Sequence, residues 1–185
     1  MNTSSNNLSV LILGSSEIAR YLVKLASVLD YPVTVCAGDA GEHRWPRGVT
    51  QRLHDFTDRP WSLPEETHAV IAQGHNGDPK SVAALLNHHA KHVYLIASEK
   101  RSQEVIHSAR PLIKNQGLLD KQFSSPAGLS LGGQASSEIA LSVLAEIQWR
   151  HHGQEDCFPL TDAQHTQTYK LKSNLSSVAC PGKRP

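Results

Sequence analysis

Residues 10–36, VLILGSSEIARYLVKLASVLDYPVTVC, constrain the fold more than any other stretch of the chain. The apolar run over 8–13 is a strand candidate that stops at Gly14. From Ile18 the period changes: Ile18, Leu22, Leu25 and Leu29 follow at spacings of four, three and four, which places them on one face of a helix. YPVTVCAG then reads as a second strand, entered through Pro32, whose missing N–H suits a strand's first position. Strand, helix and strand in this rhythm make a βαβ unit, which requires parallel strands and a right-handed crossover.

The rhythm continues. THAVIAQ (67–73) and HVYLIAS (92–98) read as strands, each followed by a helix, PKSVAALLNHHA and EKRSQEVIHSA. Pro111 ends or kinks the second of these helices. Residues 49–53 suit a short edge strand, and PAGLSL (126–131) is expected to be the last strand. A final helix over 136–150 buries Ile139, Val143 and Ile147, with Ser136 as its expected N-cap. The predicted fold is therefore α/β: a doubly wound, mainly parallel Rossmann-like sheet with helices on both faces, over residues 8–152. Residues 153–185 turn polar and aperiodic and read as a C-terminal extension that the domain does not need in order to fold.

Composition excludes several classes of function. A chain of 185 residues accommodates one domain with a substantial core. Net charge is +1, which gives no footprint for nucleic acid and no polybasic patch for a membrane. No apolar run reaches the length of a membrane span, and the N-terminal stretch lacks the basic start of a signal peptide, so the expected location is cytoplasmic. Cys36, Cys157 and Cys180 show neither CxxC nor zinc-finger spacing.

Two glycine turns are candidate sites. In LILGSSEIA, Gly14 holds the first position of a dinucleotide-binding turn, Ser16 the second and Ala19 the third. Ser16 crowds the second position, and the acidic residue that would take ribose hydroxyls appears only as Asp39, beyond the strand end at Cys36. Gly14, Ser15, Ser16 and Asp39 therefore form either a nucleotide site or a tight turn that binds nothing. Gly132 and Gly133 precede the last helix, whose dipole points its positive end at the strand tips. They serve either an anion or a sharp capped turn. If a ligand approaches them, a Cβ at either position should cost binding more than folding.

Other residues at strand ends carry the same ambiguity. His75, just after a strand, suits ligand contact or acid–base work, or is a solvated loop histidine. Cys36 is a candidate thiolate ligand or sulfur acceptor, or a core residue. Lys100 and Arg101 suit a phosphate or a solvated helix face. His88, His89 and His92 invite a metal reading, but adjacent helical side chains diverge by about 100°, and interaction with a helix C-terminus is the simpler account. No Gly-x-Ser-x-Gly nucleophile elbow is present.

The motif PAGLSLGGQASSEIALSVLAEI, with the opening βαβ and HVYLIASEKR, resembles the C-terminal Rossmann-like domain of the XdhC/CoxI family over roughly residues 8–152. The resemblance implies an accessory protein, a cofactor chaperone rather than an enzyme. Such a protein binds molybdenum cofactor (molybdopterin or its nucleotide form) and assists its maturation or insertion into a xanthine or carbon monoxide dehydrogenase. The implied partners are the molybdenum hydroxylase apo-enzyme, a cysteine desulfurase and a second copy in a homodimer. The implied cofactor-binding residues are Gly14, Ser15, Ser16, Cys36, Asp39, Gly74, His75, Ser98, Lys100, Gly132 and Gly133. The family's turn keeps one glycine and tolerates alanine next, which implies that Gly132→Ala weakens binding while Gly133→Ala is nearly neutral. The chain also departs from the family pattern. Gly14-Ser15-Ser16-Glu17 replaces Gly-Ala-Gly-His, Gly74-His75-Asn76-Gly77 replaces Thr-His-Asp-His, and Ser130 replaces an Asp. These changes keep two other readings open, an NAD(P)-dependent oxidoreductase and a regulatory or scaffolding subunit that binds no ligand.

Overall fold

The computed structural model describes residues 8–74 and 77–153. His75, Cys157, Cys180 and all but the first residue of the expected extension lie outside the described residues. The chain divides into two units, the first ending at His151, and every structural statement below concerns that unit.

Six strands form one sheet: β1 (Ser9–Leu13), β2 (Val33–Cys36), β3 (Thr50–Arg52), β4 (Thr67–Ile71), β5 (His92–Leu95) and β6 (Phe123–Ser124). Their order is β3-β2-β1-β4-β5-β6 and every neighbouring pair is parallel. Five α-helices connect or follow them: α1 (Glu17–Val28), α2 (Asp78–Asn87), α3 (Glu99–Ala109), α4 (Gly117–Gln122) and α5 (Ser136–His151). This is the doubly wound Rossmann order, in which the chain reverses direction across the sheet between β1 and β4.

A parallel sheet buried on both faces needs apolar residues at successive positions, not alternate ones. In β1, Val10 and Ile12 pack with α1 and α5, while Leu11 and Leu13 pack with α2 and α3. In α1, Ala19, Leu22, Val23 and Ala26 are buried, and in α5 the buried stripe is Ala140, Val143, Leu144 and Ile147. The two helices cover the same face of the sheet.

The end of the chain differs from the expectation. Residues 126–131 form no strand; the sixth strand is Phe123–Ser124, preceded by the short helix α4. Pro126 has no N–H for a ladder, and Gly128 takes a left-handed φ of 109°. Its Cα lies so close to α5 that a Cβ would meet the Ser142 hydroxyl at 2.5 Å. Pro111 does end α3, passing into a 3-10 turn over Arg110–Leu112.

Candidate functional site

Parallel pairing puts the C-terminal ends of all six strands on one edge, where open α/β sheets bind their ligands. The strand tips divide there between two clefts. The first, about 430 Å³, lies at the switch point and is lined by Gly14, Ser15, Ser16, Cys36, Asp39 and Gln73, among others. The second, about 580 Å³, is lined by Ser98, Leu129, Ser130, Gly132 and Gly133 with neighbouring apolar groups. Of the residues expected from sequence, five line the first cleft and three the second. Gly74 (φ 69°) and Lys100 are exposed and line neither.

The first cleft is acidic at its centre. The Ser15 hydroxyl donates to Asp39 Oδ2 at 2.7 Å, and His43 Nε2 lies 3.1 Å from the same oxygen. The Ser15 bond and then the His43 bond hold the Asp39 carboxyl below its ordinary range, so it is an ionised acceptor. Ser16 is occupied as the N-cap of α1, its hydroxyl accepting from the Ala19 N–H. Gly14 serves packing: at φ 110°, a Cβ there would stand 2.8 Å from the Ala72 carbonyl oxygen. The turn is tight because it presses against the end of β4.

Cys36 is a poor thiolate. Its side chain is 1% exposed and its Sγ donates to the His54 carbonyl. Burial, reinforced by the nearby Asp55 charge, pushes the thiol up to about 12, so it stays protonated. Gln73 is the residue that sequence reasoning missed. It lines the first cleft, and its side-chain oxygen is buried with no hydrogen-bond partner. A buried acceptor without a donor is costly, and a ligand hydroxyl or N–H would satisfy it. His43, between β2 and β3, and Asp55, after β3, also line this cleft.

At the second cleft a carboxylate of the last helix already takes two of the backbone donors just before it. Glu138 Oε2 accepts from the backbone N–H of Gln134 (3.0 Å) and of Ala135 (2.9 Å). The helix start is thus capped by its own carboxylate, a favourable place for negative charge. Ser136 is the first helical residue and not the cap; its hydroxyl donates to Glu17 Oε2 at 2.7 Å. That bond ties the starts of α5 and α1 together, and Glu17 lines neither cleft. Gly132 (φ 82°) has open space where a Cβ would go, whereas a Cβ on Gly133 would meet Glu138 Cβ at 2.5 Å. The expected contrast between the two glycines is therefore reversed for stability: position 133 is the crowded one. Ser98 caps α3, accepting from the Arg101 N–H at 3.4 Å. The Arg101 guanidinium reaches the fully buried Asp78 at 2.7 Å instead of the cleft.

The three histidines near the end of α2 do not gather. His88 stacks edge-on against Phe56, whereas His92 is buried in β5 and bonded to Ser124. Among the described residues, no helix is long and apolar enough to cross a membrane.

Comparison with known proteins adds two findings. The model of the XdhC Rossmann domain matches residues 10–147. Among solved structures, the fold is similar to a crystal structure from Bacillus halodurans described as a xanthine dehydrogenase, with a TM-score of 0.66 and 18% identity. The match covers 83% of this chain and 45% of that one, so this chain spans under half of that protein's length. Among curated proteins no significant match was found.

Proposed function

Because this chain belongs to the XdhC family through its Rossmann domain, we propose that it binds molybdenum cofactor, in a nucleotide form, at the C-terminal edge of its sheet. In this reading it assists the maturation or insertion of that cofactor for a xanthine dehydrogenase-type enzyme. The observation that carries the reading is the first cleft. An ionised Asp39 and the unpaired Gln73 oxygen both stand at the switch point, beside the start of α1.

The residues present suit some parts of such a ligand better than others. Asp39 supplies the carboxylate that ribose hydroxyls take in this fold. Gln73 offers an acceptor to a hydroxyl or a pterin N–H. Glu138 takes two backbone N–H groups at the start of α5, and the Ser15 and Ser16 hydroxyls are already bonded, so a phosphate would rest on the backbone N–H groups where α1 begins. The second cleft has room for the remainder of the ligand, with Ser98 and Ser130 as polar contacts. When bound, the cofactor supplies the molybdenum centre that the recipient enzyme uses; this chain's part is to hold and protect it. Its partners would be the apo-enzyme and a cysteine desulfurase as sulfur donor.

Asp39 also suits a nicotinamide dinucleotide, the second reading. The test is to purify the full chain and its Asp39→Asn variant from a host that makes molybdenum cofactor, then assay bound molybdenum, pterin and nucleotide. Molybdenum and pterin should accompany the wild type and fall at least about tenfold in the variant, the effect of losing ~1.4 kcal/mol. Recovery of NAD(P) without molybdenum would assign the cleft to the dinucleotide. Recovery of no ligand would overturn both readings.

A further inference from the structure

At the opposite end of the sheet, where β4 begins, a second set of chemically capable side chains meets. Glu66 directly precedes β4 and His68 is its second residue. Side chains two apart on a strand point to the same face, and α5 covers that face with His151 as its last residue. One ligand atom each from Glu66, His68 and His151 lies within 4.8 Å of the others. Glu66 Oε2 is 3.8 Å from His151 Nδ1, and the two imidazoles meet edge-on with ring centres 6.0 Å apart.

His68 shows what the cluster lacks. The residue is 2% exposed, its Nδ1 is 2.9 Å from the Tyr94 hydroxyl, and its Nε2 is buried with no hydrogen-bond partner. That is the arrangement of a metal-ligating histidine. In the tautomer whose Nδ1–H donates to the Tyr94 oxygen, that outer hydrogen bond holds the ring and the Nε2 lone pair is left for an ion. We propose that Glu66, His68 and His151 form a binding site for a zinc-class divalent cation, with water completing its coordination.

The chemistry of the donors agrees. Two imidazoles and one carboxylate suit zinc, and three protein ligands plus water is the open form of its tetrahedral site. Bonds of about 2.0–2.1 Å set ligand atoms roughly 3.4 Å apart, so small side-chain rotations close the cluster. The Lys91 hydrogen bond holds the Glu66 carboxyl low. Lys91 takes Oε1 at 2.8 Å, leaving Oε2 toward His151.

The experiment is to strip the full chain with chelator, titrate it with Zn²⁺ against a chromophoric competitor, and record visible absorption with Co²⁺. One equivalent should bind, with the intense bands of tetrahedral Co²⁺, and Zn²⁺ should raise the melting temperature. Glu66→Gln and His151→Gln, both at partly exposed positions, should each weaken Zn²⁺ at least about tenfold and abolish the thermal shift. Circular dichroism confirms that each variant folds, and either one alone suffices if the other does not. Absence of stoichiometric binding overturns the proposal, because the orphaned His68 nitrogen would then face only water. Unchanged affinity in a folded variant also overturns it, since the ion would sit elsewhere.

Discussion

The strand tips of the parallel sheet and the network under α5 treat polar groups in opposite ways. At the C-terminal end, Asp39, Ser15, Ser98 and Ser130 line open clefts, and the Ser15–Asp39 bond lies at the rim of the first cleft itself. Under α5, Ser124, His92 and Glu146 are buried and bonded across elements. Ser124 donates to Glu146 Oε1 at 2.6 Å, Gly128 N–H to Oε2 at 2.7 Å, and Arg150 Nε to Oε1 at 2.8 Å. Since the Ser124 proton is given to Glu146, its oxygen accepts from His92 Nε2, which fixes that imidazole as a neutral donor. Glu146 thereby fastens the loop after β6 that has no strand of its own. The network under α5 is wired for architecture, and the strand tips are left for a ligand.

The largest effect should come from cutting the network under α5. Glu146→Ala leaves Arg150, Ser124 and the Gly128 N–H without their acceptor and should destabilise the domain by about 3–5 kcal/mol. Chemical denaturation measures it. A loss below about 1 kcal/mol would erase the contrast between the two regions. Gly133→Ala comes next, at about 2 kcal/mol, because the new Cβ strikes Glu138 Cβ rather than a flexible chain end.

Acid should also act first on that network. Burial, with the Arg150 charge and His68 beyond it, pushes His92 down to about 3 from an ordinary 6.5. The unfolded chain binds a proton below 6.5 that the folded chain refuses, so His92 contributes full stability above that value. The contribution is lost as pH falls from 6.5 toward 3. Melting temperatures should therefore fall between about pH 7 and about pH 4.5, with a shallower fall in His92→Gln. A flat profile would mean that His92 accepts its proton in place. Smallest is Gly132→Ala, about 1 kcal/mol from the left-handed backbone alone, measured by thermal melts. A larger loss would reveal a contact that the open space around Gly132 does not contain.

This contrast explains what could be read from the sequence. Strands β1, β2, β4 and β5 are continuous apolar runs because both faces are covered, and α1 and α5 carry a plain helical period. β6 escaped notice because it is two residues long, and its neighbour α4 has only six, less than two helical turns. Asp39 was visible as an acid past the second strand. Gln73 was not, because an amide at a strand end shows no periodicity and its significance is the partner it lacks. The capping role of Glu138 was hidden similarly, as it depends on how the Gly132–Gly133 turn folds back. His68 and His92 were obscured by lying inside strands, where burial and not spacing sets their chemistry.

The pairing of α1 with α5 has a consequence for synthesis. Leu8, Val10, Ile12 and the inner face of α1 are made more than a hundred residues before Val143, Leu144 and Ile147, which cover the same face. A chain emerging from the ribosome therefore carries an uncovered apolar surface until residue 147 is free of the exit tunnel. Long-range closure of this kind is slow and prone to aggregation. The bond from Ser136 to Glu17, spanning 119 positions, forms only when the first and last helices meet. The domain is thus committed late, in one step, by its final helix.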